Sequence, residues 1–343
     1  MDRQEGWFTL LYRHIIPESI RRKCSEMMYE REMNRKTLAE LERRTFGDLN
    51  KDKTFYVIRT DNTQGWGVFS TYLFVLSNVK YAVEHGWIPV VDYKNYFLVG
   101  LQNKEERGKE NAWNYYFEDL VPEFPLEEVY QSRNVILGPL RGQPYGSISW
   151  GAVTDVYIPE YQVYFKLAAK YIRMQSYLLE QVESEYQKLF PREGCVLGVG
   201  IRAGAYWGTI TGHKNWDRHP KGVSVERCIE NIKLYLEKYS CDYFFLSCED
   251  RYFVNTIQKE FGDKCLCLNR SRASFFDDQG NPSAAEDIKY EEAELGILRR
   301  NIEYVKEVIL LTRCQYLIRT RGGGNLASLF IKNGRYEEME EIL

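Results

Sequence analysis

Apolar residues fall into short runs that alternate with stretches of helical periodicity. Residues 54–60 are a run rich in β-branched and aromatic side chains, a loop with glycines follows up to Gly67, and residues 68–84 repeat apolar positions at helical spacing. Residues 88–92 then predict a second strand. A strand, a helix and a strand in this order form a βαβ unit, so we expect a parallel sheet with helices on its faces.

A second series of the same kind begins after residue 192. Strands are predicted at 195–201, 243–247, 264–268 and 315–318, and helices at 224–239, 250–261, 286–311 and from 325 onward. One long helical pattern, from 159 to about 190, separates the two series. Short helices at 111–118 and 125–130 and a strand at 134–137 complete the first series. The predicted fold class is therefore α/β, with two Rossmann-like domains that face each other across a cleft.

Domain boundaries follow from these patterns. Residues 1–50 form a helical N-terminal extension, 51–160 the first Rossmann-like domain, 161–192 a linking helix and 193–343 the second Rossmann-like domain. In the extension, aromatic and aliphatic side chains stand beside basic ones over residues 7–23. Such a segment either packs on its own domain or lies on an anionic membrane surface, and the sequence leaves both open.

Composition excludes several classes of function. With 46 Lys and Arg against 49 Asp and Glu, the formal net charge is -3, which argues against a nucleic-acid-binding protein. The four histidines form none of the pairs found in zinc motifs, so no metal ion is expected. Eight cysteines without a CxxC pair predict reduced, buried thiols. Because no apolar stretch is long enough to span a membrane and the start lacks the order of a signal peptide, we expect a cytoplasmic protein, either free or peripheral on the inner face of the membrane.

An arginine stands where open α/β sheets bind ligands, in a loop beyond the carboxyl end of a strand. Arg202 directly follows the predicted strand 195–201, and its planar fork of N–H donors suits a phosphate. A salt bridge between the domains is the other interpretation. Glycines at 198, 200 and 204 have the spacing GxGxxxG rather than GxGxxG and begin inside the strand, which argues against NAD binding.

Three consecutive glycines, Gly322, Gly323 and Gly324, stand between the last predicted strand and the final helix. They let the backbone approach an anion closely, and the first N–H groups of the helix point toward it. A plain tight turn needs one glycine, so three favour a phosphate site.

Acidic and amide side chains follow other strands or lie near them. They are Glu249, Asp250, Asp92, Asn95 and Glu307, the last of these one helical turn before the final predicted strand. Each is a candidate to bind ribose or base, or to accept the proton of an acceptor hydroxyl. A helix cap is the competing interpretation, above all for Asp250.

The order of several segments resembles the fucosyltransferase superfamily of GT-B glycosyltransferases, which includes α-1,6-, nodulation and protein O-fucosyltransferases. The segments are 61–70, 86–96, 111–118, 197–206, 219–220, 247–250 and 314–328, and the resemblance covers about residues 54–335. The nearest look-alikes are bacterial members from polysaccharide clusters. The resemblance implies an inverting transfer of a sugar, typically L-fucose from GDP-fucose, without a metal ion or another cofactor.

The resemblance also implies roles for single residues. The arginine matching Arg202 binds the diphosphate, and the acid matching Glu307 touches the nucleotide or the fucose. Residues 320–325 close over the phosphates and the sugar, while residues 62–67 face the donor across the cleft. The donor-binding set is Arg202, Tyr206, His219, Glu249, Asp250, Glu307, Thr320, Arg321, Gly322, Gly323, Gly324, Asn325, Asn62, Gly65 and Gly67. Asp92 and Asn95 fall on the acceptor side.

One position departs from the pattern of the look-alikes, which commonly carry Asp where this chain has Ala205. The catalytic base is therefore open: Asp217 is the first choice, His213 the second and Asp92 the third. Arg202 and the amides of residues 322–325 would stabilise the leaving diphosphate.

The leading hypothesis is fucosyl transfer from GDP-fucose to a saccharide or glycolipid acceptor, in the synthesis of a surface polysaccharide or glycan. One alternative is a catalytically degenerate protein that binds a nucleotide sugar or a carbohydrate, and Ala205 is its main support. Another keeps the fold and changes the donor to a different GDP-sugar or to a UDP-sugar. An NAD-linked oxidoreductase is the runner-up outside this family.

Overall fold

The computed structural model describes residues 41–60, 67–98, 100–140, 148, 159–204, 223–284, 287–291 and 296–342, together with Glu32 and Arg35. Nine strands and eight α-helices are numbered along these residues. The first four strands are β1 (Glu42–Arg44), β2 (Phe55–Ile58), β3 (Ile88–Val91) and β4 (Val135–Leu137). The first four helices are α1 (Val68–Glu84), α2 (Leu126–Val129), α3 (Pro159–Tyr171) and α4 (Ser176–Leu189).

The first sheet has the strand order β1-β4-β2-β3. Strand β2 pairs in parallel with both β3 and β4, and β1 is antiparallel to β4. All four residues of β2 are fully buried, since α1 covers one face of the sheet and a smaller apolar cluster around Val129 covers the other. This double coverage explains why β2 is a continuous apolar run in the sequence.

The second sheet is parallel throughout, in the order β7-β6-β5-β8-β9. Its strands are β5 (Val196–Ile201), β6 (Tyr243–Cys248), β7 (Cys265–Cys267), β8 (Tyr316–Arg319) and β9 (Met339–Glu341). The helices that accompany them are α5 (Val225–Lys238), α6 (Arg251–Phe261), α7 (Gly296–Leu311) and α8 (Gly323–Ile331). The predicted α/β class with two Rossmann-like sheets is thus confirmed.

Helices from both halves share one apolar core. Helix α8 packs on α1, α3 and α7, and α1 packs on α3. At this junction the ring of Phe330 in α8 lies 5.3 Å from that of Phe165 in α3. In the part of the chain that the structure describes, no helix is long and apolar enough to cross a membrane. Contact of residues 7–23 with a membrane falls outside the described ranges and stays a prediction.

The prediction of one long helix from 159 to about 190 is wrong, because the helix is interrupted between α3 and α4. At the break, the N–H of Glu118 donates to the carbonyl of Arg173 over 2.9 Å, and the N–H of Gln175 donates to the carbonyl of Tyr116 over 3.1 Å. The side-chain amide of Gln175 also donates to the carbonyl of Phe117. These bonds to a distant segment occupy the backbone groups that a continuous helix would use.

Other boundaries also differ from the prediction. Residues 42–44, placed in the helical extension, form β1, and Glu42 there lies 2.7 Å from the buried guanidinium of Arg59. Helix α7 begins at Gly296 instead of 286, because Tyr290 bridges to Ala273 as extended chain. The 111–118 helix is a short 3-10 turn at Ala112–Tyr115, and strand β9 was not predicted.

Two of the cysteines are paired, contrary to the expectation of reduced thiols. Cys195 and Cys241 precede the neighbouring parallel strands β5 and β6, which brings their Cα atoms to 4.6 Å, and they form a disulfide. The remaining cysteines among the described residues are free, and all but Cys267 are buried. Burial raises the pKa of these free thiols, the pattern expected of unreactive core cysteines.

Candidate functional site

The carboxyl ends of β5, β6 and β8 bring together three residues that the sequence singled out. Parallel register places the end of β5 beside the ends of both neighbours. The N–H of Arg202 donates to the hydroxyl of Thr320 over 2.6 Å, and its guanidinium lies 3.2 Å from the carboxylate of Glu249. The same carboxylate oxygen accepts the N–H of Gly204 over 2.9 Å. Arg202 and Thr320 are more than a hundred residues apart in the sequence, and the pairing of β5 with β8 brings them together.

Arg202 is fixed by an ion pair, and part of its side chain remains accessible to solvent. Its side chain is 40% exposed, while that of Glu249 is 14% exposed. The Glu249 carboxylate raises the pKa of Arg202, so the guanidinium stays charged. The ion pair joins neighbouring strands of one sheet, not the two domains as the alternative interpretation required. A charged fork that is fixed on one side and reachable from solvent on the other suits an anionic ligand.

The glycine turn lies against this arginine. Helix α8 begins at Gly323, two residues earlier than predicted, and its first helical bond runs from the N–H of Leu326 to the carbonyl of Gly322 over 2.9 Å. The N–H groups of residues 323–325 therefore have no acceptor within the helix, and they form its positive end. A Cβ at Gly322 would touch the Cβ of Arg202 at 3.5 Å. The positive charge of Arg202 and the positive end of the α8 dipole thus lie side by side.

Gly324 has a packing reason to be glycine. A Cβ at this position would collide with the hydroxyl of Tyr304 in α7, and it would lie 3.0 Å from a methyl of Val308. Tyr304 was not singled out in the sequence. Its ring lies edge-on to Phe69 at the start of α1, with centroids 5.3 Å apart, so it contacts both halves of the molecule. Burial raises the pKa of Tyr304 to about 12, which keeps its hydroxyl protonated.

The side chains of two further residues of the turn bond to other parts of the protein. The side-chain amide of Asn325 donates to the carbonyls of Gly200 and Thr320 over 2.9 and 3.0 Å, which ties the ends of β5 and β8 together. The side chain of Arg321 lies 2.5 Å from Glu341 in β9. Asn325 therefore offers a backbone N–H to the site, while Arg321 is turned toward the edge of the sheet.

Asp250 is a helix cap. One carboxylate oxygen accepts the N–H of Phe253 over 3.0 Å at the start of α6, and the other accepts the N–H of Phe275 over 2.8 Å. The side chain has no exposed surface, and burial raises its pKa to about 6. The cap interpretation is thus confirmed, and a contact between Asp250 and a ligand stays a prediction.

Glu307 lies behind the site instead of lining it. Its carboxylate has no exposed surface and accepts hydrogen bonds from Ser247 over 3.0 Å, from Arg270 over 2.6 Å and from Arg272 over 3.3 Å. The two arginines were missed, although a signal was present: they stand three and five residues after the end of β7, in a loop beyond the carboxyl end of a strand. The contact of Glu307 with the nucleotide or fucose, implied by resemblance, gains no support from this placement.

On the acceptor side, Asp92 organises the turn after β3. Its carboxylate accepts the N–H groups of Lys94 and Asn95, the side-chain amide of Asn95 and the hydroxyl of Tyr130. Burial, reinforced by this hydrogen bond, raises the pKa of Tyr130. Asp92 has no exposed surface, so its placement does not favour the role of third-choice base. Asn95 is exposed beside it.

A polar cavity of about 330 Å³ lies beside this turn. It is lined by Lys94, Lys109, Glu110, Asn111, Asn114, Tyr115, Asp119, Pro125, Leu126 and Glu127. Its mixture of an aromatic ring, amides and charges is of the kind that binds sugar hydroxyls.

Several predicted site residues lie outside the described residues: Asp217, His213, Tyr206, His219, Asn62 and Gly65. Gly67 is described, and it is the exposed residue that caps α1. Within the described ranges, no group of three or more His, Cys, Asp or Glu side chains could hold a metal ion. The expectation of a reaction without cofactor stays a prediction.

No protein-family model matches the sequence, and no curated protein matches it either. Solved structures do. The α-1,6-fucosyltransferase NodZ, in a crystal soaked with GDP-fucose, is 14% identical, with 80% of this chain and 91% of that chain covered and a TM-score of 0.45. The fucosyltransferase NodZ from Bradyrhizobium has the same identity of 14% and a TM-score of 0.41, over 80% and 91% of the two chains.

A further match is POFUT1 in complex with GDP-fucose. It is 10% identical, covers 84% of this chain and 74% of its own, and has a TM-score of 0.35. At identities of 10–14% these structures are distant likenesses.

Proposed function

We propose that the protein is an inverting glycosyltransferase that moves L-fucose from GDP-fucose to a saccharide acceptor. One observation carries the proposal: a partly exposed, paired arginine stands beside the positive end of a helix at the carboxyl edge of a parallel sheet. This combination binds a phosphate group through charge and backbone N–H donors together. The choice of GDP-fucose rests on the sequence motifs.

The reaction would need little from the donor side beyond positive charge. The oxygen of an acceptor hydroxyl attacks the anomeric carbon, the bond from that carbon to the diphosphate oxygen breaks, and its electron pair leaves with the diphosphate. Arg202 and the N–H groups of residues 323–325 would stabilise that leaving group. Because these groups supply the charge that a bound metal ion supplies elsewhere, a metal-independent reaction is part of the proposal.

The proton of the acceptor hydroxyl must pass to a base. Asp217 is proposed for this role, and His213 is the second choice. Turnover that is unchanged in Asp217→Asn would discard the first choice. The acceptor would bind in the first half, and the polar cavity beside the Asp92 turn is the proposed place for its sugar.

The test begins with binding. We expect GDP and GDP-fucose to raise the midpoint of thermal unfolding, since a ligand at a hundred times its Kd adds about 2.7 kcal/mol to stability. UDP and UDP-glucose, GDP-mannose and NAD are the comparison ligands. A shift with UDP compounds alone would keep the fold and overturn the donor, and a shift with NAD alone would overturn the class of enzyme.

Transfer is then measured with a matched pair of variants. Arg202→Ala should lower turnover by about a hundredfold, the usual effect of losing a transition-state electrostatic contact. Arg313→Ala is the control, because the side chain of Arg313 is 43% exposed and is also paired with one glutamate, Glu183 at 3.2 Å, before the amino end of β8. Equal turnover in both variants would remove Arg202 from the reaction.

One alternative is supported by a specific position. Ala205, in place of the look-alikes' acidic residue, favours a protein that binds a nucleotide sugar without consuming it. Binding of GDP-fucose with no release of GDP, over a panel of acceptors that includes water, would favour this alternative. We also propose that the protein works in the cytoplasm, in the synthesis of a surface polysaccharide.

A further inference from the structure

A buried cluster of charges lies behind the phosphate site and carries more positive than negative charge. The side chains of Arg270 and Arg272 are 5% and 6% exposed, and that of Glu307 is 0% exposed. Two guanidinium groups thus face one carboxylate. Among the residues that the structure describes, no second carboxylate lies within ion-pair distance of either guanidinium, although the carboxylate of Glu291 accepts the backbone N–H of Arg272 over 3.1 Å. Counted over the described residues, the two guanidinium groups and Glu307 thus have an excess of one positive charge.

Dipoles offset this excess only in part. The carbonyl of Cys248 accepts hydrogen bonds from both arginines, and the carbonyl of Leu268 accepts one from Arg272 over 2.8 Å. The Nε–H of Arg270 is buried and has no partner. A purely structural ion pair needs one arginine, since an unbalanced buried charge weakens a fold. The second arginine calls for another explanation.

The cluster is directly connected to both parts of the phosphate site. The guanidinium of Arg270 lies over the ring of Tyr304, 5.4 Å from its centroid, and the Tyr304 hydroxyl packs against Gly324 in the first turn of α8. Cys248, which both arginines bind, is followed by Glu249, and Glu249 holds Arg202. The charges of Arg202 and Arg270 both act on the Tyr304 hydroxyl, where each lowers the pKa that burial raises.

We infer that Arg270 and Arg272 are positioning residues for the donor diphosphate, which they attract through the protein without touching it, and that Glu307 fixes them in place. The inference rests on the proposed function. A charge in the protein interior acts over a longer distance than one in water, because the interior screens it less. It also costs no reorganisation when negative charge develops on the leaving group.

Two substitutions of Arg270 distinguish the effect of its charge from the effect of its shape. Arg270→Gln removes the charge, whereas Arg270→Lys keeps it and removes the fork geometry. With inorganic pyrophosphate and GDP as probes in titration calorimetry, we expect Arg270→Gln to weaken binding roughly tenfold, and Arg270→Lys to stay within about threefold of wild type. Guanosine, which has no phosphate, is the neutral probe; the variants should leave its affinity unchanged.

A third variant changes the sign of the effect. Glu307→Gln removes the negative charge, so it should tighten the binding of pyrophosphate although it destabilises the fold. A merely structural cluster would give weaker binding in every variant. Arg313→Gln is the charge control, because it removes an exposed arginine that is paired with Glu183 at the surface. Its affinity for pyrophosphate should match that of wild type.

The outcomes are distinguishable. Wild-type protein that binds neither GDP nor pyrophosphate contradicts the proposed function, and the inference falls with it. Wild-type binding with equal losses in Arg270→Gln and Arg270→Lys, or with weaker binding in a folded Glu307→Gln, overturns the inference and leaves the proposed function standing. Should Glu307→Gln fail to fold, the two Arg270 variants still decide.

Discussion

The carboxyl edges of the parallel strands in the two sheets differ in electrostatic character. In the first sheet, the carboxylate of Asp92 is saturated by four donors from its own turn and from Tyr130. In the second sheet, Arg202 is 40% exposed and the first N–H groups of α8 have no acceptor within the helix. The second edge therefore has polar groups left to offer a ligand, whereas the carboxylate of Asp92 at the first edge is satisfied internally.

The largest effect on stability is expected at the first edge. Asp92→Ala would leave two backbone N–H groups and the Tyr130 hydroxyl without their acceptor, and we expect a loss of about 3 kcal/mol in the free energy of unfolding. The exposed Asn95→Ala removes one donor and should cost less than about 1 kcal/mol. Both variants should still bind GDP. Loss of GDP binding in Asp92→Ala at a temperature where it is folded would mean that the two edges are not independent.

At the second edge, Gly324→Ala should cost about 1–3 kcal/mol because its Cβ collides with the Tyr304 hydroxyl. The unfolding midpoint reports the loss, and GDP should stabilise the variant less than wild type. Tyr304→Phe in the same chain removes the colliding oxygen and should restore much of the stability. Gly322→Ala is the control, since its Cβ meets Arg202 at an ordinary distance of 3.5 Å. No rescue by Tyr304→Phe would argue against the packing explanation.

The buried carboxylate of the second edge gives a pH dependence. Burial raises the pKa of Asp250 from its ordinary value of 3.8 to about 6, so the folded protein holds this proton more tightly than the unfolded chain. The contribution to stability is fully present below about pH 4 and is lost as the pH rises through about 6. Asp250→Asn lacks the titration, so the stability of wild type relative to this variant should fall by about 2–3 kcal/mol between about pH 4 and pH 7. A constant difference would contradict the raised pKa.

The smallest effect is expected at Gly67, which caps α1 at the start of the first half. No atom of the described residues lies within 4 Å of a Cβ placed there, and its φ of -71° suits any residue. Gly67→Ala should therefore cost less than about 1 kcal/mol, the difference between glycine and alanine as a helix cap. A larger fall in the unfolding midpoint would contradict this expectation.

Periodicity was sufficient to predict the strands and helices that are built from local patterns. The βαβ unit and the strands around Arg202 were found because buried parallel strands are continuous apolar runs. The break between α3 and α4 was not found, because it depends on bonds from Gln175 to residues nearly sixty positions away in the sequence. Long-range hydrogen bonds leave no periodic signal in the segment that they interrupt.

The same limit applies to the site. Arg202 and the glycine turn could be located because strand ends and glycine runs are visible in the sequence. The hydrogen bonds of Asn325 and Glu307 could not be predicted, because their partners come from other strands and from the loop after β7. Whether a polar side chain is free to bind a ligand depends on whether groups distant in the sequence already form hydrogen bonds with it.

The shared core of α1, α3 and α8 bears on modularity. Phe330 belongs to the second half by sequence, yet its neighbours Phe165, Tyr161 and Tyr164 precede that half in the chain. In a chimaera that joined residues 193–343 to the first half of another protein, α8 would lose these three aromatic neighbours, and α8 is the helix whose first turn carries the glycines. An exchange of the second half by recombination would therefore have to include α3, which precedes that half in the chain.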